Sequence, residues 1–288
     1  MIPNIPIKQE TMIRILTDST ADIPEGLCKI HQIETISMYL HMNGKSYRDG
    51  KDINPAAIFD NVEKTGVFPT TSAPSPADFI QRFMKDDPII YISVSGKLSA
   101  TFENARRARN EVSHDMIDII DSCSISTGYG QVVLQAAKWR NAGMSYKDLG
   151  DRVRSLIKKT HGIFILDTLD YLYRGGRCSA IEHYFSSILK IRPLLKILPD
   201  GTLGVIQKFR GARSHAVSGL LRYIINQLNH YQITQMFVMH LNCEDEVTYL
   251  MNEVKALGHT VDVRTAQVGC VLAMHSGPRP LGIAYCVK

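Results

Sequence analysis

Short hydrophobic stretches alternate with longer amphipathic ones along the first part of the chain. The short stretches are rich in Ile, Val and Tyr and end in polar residues, which is typical of buried strands. The predicted strands of this part cover residues 13–20, 33–40, 87–95 and 116–122. Because a helical stretch separates each strand from the next, the pattern predicts parallel βαβ units up to about residue 159.

Capping residues mark where the predicted helices begin and end. Asp22 is an N-cap candidate for the first helix, Ser75 for a helix after the second strand, and Ser99 for the helix after residue 95. Gly66 closes another helix. The stretch 124–143 carries apolar residues at spacings of three and four, which predicts a long helix.

The pattern changes after residue 160. A strand and a glycine pair lead into a helix that ends near Lys190, and a hairpin with its turn at Asp200–Gly201 follows. The predicted fold class is therefore α/β with two domains. Residues 1–160 form an N-terminal domain with a parallel sheet, of which 1–11 are a flexible tail. Residues 161–288 form a C-terminal α+β domain with a mixed or antiparallel sheet.

Composition excludes several classes of protein. Apolar residues make up 44% of the 288, enough for a large core. The net charge of +5 is mild and dispersed, which disfavours a nucleic-acid partner. The six cysteines form no CxxC pair, no apolar run suggests an integral membrane segment, and no secretory signal is recognised, so we expect a cytoplasmic protein.

Hydroxyl side chains gather where predicted strands end and helices begin, above all in 70–72 and 93–101. Most serve as helix caps. Their number exceeds what capping requires, and hydroxyls beside free helix N–H groups bind anions well. The sequence therefore predicts a site for a carboxylate or phosphate.

Motifs for catalysis and cofactors are missing. The chain has no GxSxG nucleophile motif, no phosphate-binding GxxxxGK[ST] and no HExxH, and no GxGxxG follows the first strand. The order Ser95, Asp167, His275 arises by chance in most chains of this length. We expect no cofactor and no metal. His275 itself remains open as an anion donor, a structural loop residue, a general base or a metal ligand.

Seven motifs in their order along the chain resemble the DegV family. They are LTDSTADIP (16–24), TTSAPSPADF (70–79), SVSGKLSATFENA (93–105), DSCSISTGYG (121–130), LDTLDYLYRGGRCS (166–179), KIRPLL (190–195) and HSGPRPLGIAY (275–285). The resemblance implies a bacterial fatty-acid-binding protein that holds the acyl chain between two α/β domains. It further implies a partner, a separate fatty acid kinase, which phosphorylates the presented carboxyl group, while the carrier does no chemistry.

The resemblance also implies roles for individual residues. Thr71 matches a carboxylate-binding threonine, with Ser72 beside it. Ser95 and Ser99 fall in a segment of which one serine contacts the carboxylate, and we favour Ser99. His275 matches a histidine near the same oxygen atoms.

Basic residues are the candidates for supporting the site or docking the kinase. Arg174 and Arg177 match the RGGR signature of the family. Lys208, Arg210 and Arg213 follow the hairpin, where a loop is expected to reach outward.

The chain departs from the family pattern at several positions, namely Ala73, Gly96, Ala100 and Arg279–Pro280. We expect these near the mouth of the pocket, where they alter chain preference or partner docking. Two alternative functions stay open. One is a serine hydrolase or lipase that uses Ser95 or Ser99 with His275, and the other is a lipid-sensing regulatory protein.

Overall fold

The computed structural model describes residues 12–177, 191–258 and 260–288. The predicted flexible tail, residues 1–11, and the helix predicted to end near Lys190 lie outside these ranges. Within the described ranges, no helix combines the length and the apolar character needed to cross a membrane.

The N-terminal part is built on a parallel sheet. Its strands are β1 (Arg14–Asp18), β2 (Ile33–Ile36), β3 (Tyr39–Met42), β4 (Lys45–Arg48), β5 (Thr70–Ser72), β6 (Ile89–Ser93) and β7 (Ile117–Asp121). Its helices are α1 (Glu25–Ile30), α2 (Pro55–Thr65), α3 (Pro76–Phe83), α4 (Thr101–Glu111), α5 (Thr127–Asn141) and α6 (Tyr146–Ile157). Four strands pair in parallel in the order β2-β1-β6-β7, which confirms the predicted architecture.

A small antiparallel sheet in the order β4-β3-β5 accompanies the parallel one. The single strand predicted over 33–40 is wrong, because the chain leaves β2 at Ile36 and starts β3 at Tyr39 in a different sheet. The sequence pattern of residues 70–72 indicates a loop, but the structure has strand β5 there. It has only three residues, too few to show an alternating pattern, and it exists because Thr71 pairs with Leu40 of β3.

The C-terminal part is built on a mixed sheet. Its strands are β8 (Thr160–Ile165), β9 (Ile191–Ile197), β10 (Leu203–Arg210), β11 (Ile233–His240), β12 (Asp262–Gln267) and β13 (Leu281–Val287). Its helices are α7 (Asp170–Arg174), α8 (Arg213–His230), α9 (Glu244–Ala256) and α10 (Cys270–Ser276). The order is β10-β9-β8-β13-β11-β12, antiparallel apart from β11 with β12. The hairpin turn at Asp200–Gly201 is confirmed between β9 and β10, and the division predicted at residue 160 falls at the start of β8.

Helix caps confirm most of the predicted boundaries. Ser75 forms a capping box with Asp78 at the start of α3, and Gly66 closes α2 in the left-handed conformation. The prediction for Asp22 is wrong: Pro24 precedes α1, and the Asp22 carboxyl turns inward to the hydroxyl of Ser126.

Helix α5 lies between the two sheets. Eleven of its fifteen residues are buried, against strands of both parts of the chain. Val132 and Val133 share one hydrophobic cluster with Ile90 of β6, Phe237 of β11 and Ala284 of β13. The two parts are therefore joined by a common core, and the space beside it is fixed in shape.

Candidate functional site

A cavity lies where the carboxyl ends of the parallel strands face the mixed sheet. Ligands of open α/β sheets bind in this position. Its walls are largely apolar and come from both parts of the chain. Apolar lining residues include Val94, Leu98, Ile125, Phe164, Leu203 and Met239. Polar lining residues include Thr20, Thr71, Ser99, Ser126, Arg177, His275 and Ser276.

Thr71 and His275 meet in the wall of this cavity. Strand β5 carries Thr71 and α10 carries His275, and Thr71 Oγ1 lies 3.0 Å from His275 Nε2. The histidine side chain is buried, at 9% exposure. The structure thus brings together two predicted site residues that are 204 positions apart in the sequence.

His275 is uncharged at neutral pH. Burial, and then the positive charge of Arg177, lower the pKa of His275 from 6.5 to about 3. Its Nδ1 atom has no hydrogen-bond partner among the described residues. The imidazole therefore contributes one hydrogen bond, through Nε2 to Thr71.

The first glycine of the RGGR segment, Gly175, packs against this histidine. A Cβ atom placed on Gly175 would lie 2.1 Å from His275 Nδ1, closer than any side chain tolerates. Gly175 is thus required by the close approach of the chain to the imidazole. That approach also brings Arg177 to the cavity wall.

Ser99 lines the cavity at the start of α4. Its Oγ lies 2.7 Å from Thr101 Oγ1 and accepts a bond from Thr101 N at 3.3 Å. It therefore helps to cap α4, as its sequence context predicts, although Ala100 is the residue that precedes the helix. The hydroxyl has room for a further partner on the cavity side.

Ser95 and Ser72 direct their hydroxyls elsewhere. Ser95 is fully buried, does not line the cavity, and donates to the carbonyl oxygen of Gly201 at 2.8 Å. Ser72 Oγ lies 2.8 Å from His41 Nε2. Successive residues of a strand face opposite sides, so Ser72 points away when Thr71 points inward. Of the two serines predicted for the carboxylate, the geometry favours Ser99.

The two RGGR arginines have different surroundings. Arg177 donates through Nε to Leu98 O at 3.2 Å and through Nη1 to Gly175 O at 2.8 Å, and it makes no ion pair with a described carboxylate. Arg174 is half-exposed, pairs with Asp170 at 2.9 Å and lies over the Phe68 ring. Arg177 thus belongs to the cavity and Arg174 to the surface.

The outward loop predicted for Arg213 is wrong. Its side chain is 9% exposed, pairs with Asp167 at 2.6 Å and with Glu246 at 2.8 Å, and so ties α8 to α9. Arg210 ends β10 and is exposed as expected.

Two buried carboxyls next to the cavity were missed by the sequence analysis. Thr20 lines the cavity, but its hydroxyl donates to Asp18. Ser126 also lines the cavity and donates to Asp22 at 2.5 Å. Both hydroxyls thus already donate their hydrogen bond to a carboxyl group of the protein, not to a ligand in the cavity. The motif DST at the end of β1 could have indicated these carboxyls. The same residues are, however, equally well explained as helix caps.

Carboxyls of the N-terminal part also hold the start of α10. Asp22 accepts from Gly269 N and Asp49 from Cys270 N, both at 2.9 Å. Burial raises the pKa of Asp22 to about 8 and that of Asp49 above its usual range.

Of the departures from the family pattern, Pro280 lines the cavity, whereas Gly96 and Ala100 line a groove beside Ser99. Gly96 N donates to Asp121, and a Cβ at this glycine would lie 2.9 Å from Asp121 Oδ2. Arg279 pairs with Glu246 at 3.2 Å, and Pro280 lines the cavity. A side chain at position 96 would therefore require the Asp121 carboxylate to move.

A family model described as "Uncharacterised protein, DegV family" matches residues 12–288. The chain belongs to the DegV family. A DegV domain-containing protein of Caldanaerobacter subterraneus is 34% identical over 282 residues, covering 95% of this chain and 98% of that protein.

Solved DegV structures share the fold over nearly the whole length. A Thermus thermophilus DegV family protein, described by its fatty acid binding, is 28% identical with a TM-score of 0.89, covering 96% of this chain and 100% of that one. DegV of Bacillus subtilis, described as a fatty acid binding protein, is also 28% identical with a TM-score of 0.86 and the same coverage. The DegV architecture of two α/β parts is therefore shown for this chain.

Replacing Ser95 with Ala tests whether this serine is structural. Ser95→Ala leaves the Gly201 carbonyl without its buried donor, so we expect a loss of about 1–3 kcal/mol in the free energy of unfolding. Urea unfolding measures it. Ligand affinity should stay within about twofold of the native protein. A large loss of affinity with unchanged stability would instead place Ser95 at the ligand.

Asp22→Asn tests the buried carboxyl. Because the folded protein keeps this proton up to about pH 8 and the unfolded chain releases it near the usual value, the stability of the native protein falls as pH rises between the two values. Each pKa unit corresponds to about 1.4 kcal/mol. We expect the difference in unfolding free energy between native protein and Asp22→Asn to shift in favour of the variant from about pH 5 to about pH 8. If the unfolding free energies of both proteins, measured with urea, change with pH by the same amount, a buried, protonated Asp22 is contradicted.

Proposed function

We propose that this protein binds one long-chain fatty acid, with its tail in the apolar cavity and its carboxylate at Thr71, Ser99 and His275. The observation that carries the proposal is a largely apolar cavity with the Thr71–His275 pair in its wall. The fatty acid binding described for the Thermus and Bacillus relatives supports it.

The tail supplies most of the affinity. Burying about ten methylene groups contributes roughly 8 kcal/mol at about 0.8 kcal/mol each, before the cost of ordering the ligand. A few hydrogen bonds then suffice for the head group. This suits a carrier, which must release or present the acid.

The neutral imidazole orients the Thr71 hydroxyl. If the imidazole proton is on Nε2, it donates to Thr71 Oγ1, and the threonine proton is free to donate to a carboxylate oxygen. The other tautomer would leave an N–H buried at Nδ1, beside Gly175, without an acceptor among the described residues. His275 therefore acts through Thr71, and Arg177 adds a positive charge nearby.

The geometry gives the hydrolase alternative no support. A serine nucleophile needs a histidine base within hydrogen-bond reach. His275 bonds to Thr71, Ser99 lies against Thr101, and Ser95 lies against Gly201. A histidine with a pKa near 3 is also a weak base.

We further propose that the carrier presents the carboxyl to a separate fatty acid kinase. Ser99 and Arg177 line an outer groove as well as the cavity, so the polar end of the site lies next to the surface. The exposed Arg174 and Arg210 are candidates for docking the kinase. The described cysteines are free thiols, which fits the cytoplasm as the place of exchange.

Thr71→Val tests the head-group site. The substitution keeps the shape but removes the hydroxyl, so we expect fatty acid affinity to fall about tenfold, equivalent to 1.4 kcal/mol. Ser72→Ala is the matched control, because that hydroxyl faces His41. Titration calorimetry with saturated fatty acids of increasing length measures both. Equal affinities for Thr71→Val and Ser72→Ala would contradict this head-group site.

The bound molecule itself tests the function. Protein purified from its own cells, extracted with organic solvent, should release about one fatty acid per chain in mass spectrometry, and the loaded protein should support acyl-phosphate formation by a bacterial fatty acid kinase. Absence of a fatty acid, together with ester hydrolysis by the purified chain, would overturn the proposal. Tight binding without support of any kinase would favour the lipid sensor.

A further inference from the structure

A second cleft, of about 500 Å³, lies between the two parts of the chain on the other side of the loop that follows β7. One wall is formed by residues 119–124 and the end of α6. The other is formed by the start of β8 and residues 196–199 around the end of β9. Neither Thr71 nor His275 lines it, so it is separate from the fatty acid cavity.

Positive charge dominates this cleft. The basic side chains that line it are Arg154, Lys158, His161 and Lys196. Asp121 also lines it, but its carboxylate accepts from Cys123 N at 2.8 Å and from Gly96 N. Arg154 lies 2.5 Å from Asp118. The acids are thus occupied by backbone amides or by one arginine, which leaves the two lysines in excess.

Lys196 is the most informative residue of the cleft. It is half-buried on β9 and forms no ion pair within the described ranges. His161 is half-buried beside it, and burial and the Lys196 charge lower the pKa of His161. A partly desolvated ammonium group next to an imidazole, with no carboxylate bonded to it, favours an anion as its partner.

The rest of the lining defines the body of the ligand. Ile157, Ile197 and Leu198 supply apolar surface beside the cations. Several cations lining one cleft favour a doubly charged group over a single carboxylate. We propose that this cleft binds a small organic phosphate of nucleotide size, with its phosphate held by Lys196 and Lys158.

The two sites share a wall. Residues 121–124 line the cleft, and the next residues, Ile125 and Ser126, line the fatty acid cavity. Ser95 N donates to Ser124 O at 2.9 Å and fixes this loop to the loop after β6. The proposal does not rest on fatty acid binding, since the charges of the cleft are present with or without a lipid.

Calorimetry of the full-length protein with inorganic pyrophosphate, and separately with ATP, tests the proposal. We expect saturable binding of one molecule per chain, weakened at least about tenfold in the double variant Lys158→Met/Lys196→Met and reduced by added salt. Lys45→Met, at an exposed lysine of β4 outside the cleft, is the control and should bind like the native protein. Thermal unfolding checks that each variant is folded. Lys158→Met alone, at an exposed position, replaces the double variant if the latter unfolds.

Three results would overturn this assignment. They are no saturable binding of pyrophosphate or ATP, undiminished binding in the lysine variants, and tighter binding of an acidic peptide than of either phosphate. The last would identify the cleft as a surface for an acidic protein. Binding of ATP alone would support a nucleotide, and binding of both probes would support recognition of the phosphate group itself.

Discussion

The site depends on two buried carboxyls that hold the start of a helix from the other part of the chain. Asp22 and Asp49 accept the amides of Gly269 and Cys270, which otherwise lack partners at the start of α10. The helix is short, so fixing its first residue also fixes its last turn. His275 is thereby held against Thr71, and the polar end of the cavity exists only when the two parts are docked.

Much of the fold follows from local pattern, whereas the site depends on distant partners. The alternation of strands and helices, the Ser75 cap and the Asp200–Gly201 hairpin were all readable, because neighbouring residues determine them. Strand β5 could not be predicted from the sequence, because three residues are too few to show an alternating pattern and only pairing with β3 defines the strand. Arg213 was misplaced because its two carboxylate partners are 46 and 33 residues away.

The same limit explains the mixed outcome for the hydroxyl residues. Thr71, Ser99 and His275 line one cavity, as the family resemblance implied, and the sequence alone indicated only an anion site. Ser95 has the same kind of local context as Ser99, but its hydroxyl donates to a carbonyl oxygen in the hairpin turn of the C-terminal part. No pattern along the chain distinguishes a serine that meets a ligand from one that meets a distant carbonyl.

The loop after β7 lies between the apolar cavity and the basic cleft and is held in an unusual backbone conformation. Cys123 and Ser126 both have positive φ, 47° and 52°, a conformation that costs roughly 1–3 kcal/mol for residues other than glycine. Acidic side chains hold the loop on both sides, since Asp121 accepts a hydrogen bond from Cys123 N and Asp22 accepts one from the Ser126 hydroxyl. A loop held in this way separates the apolar cavity from the basic cleft as a thin wall. Asp22 therefore contacts both this loop, through Ser126, and the start of α10, through Gly269.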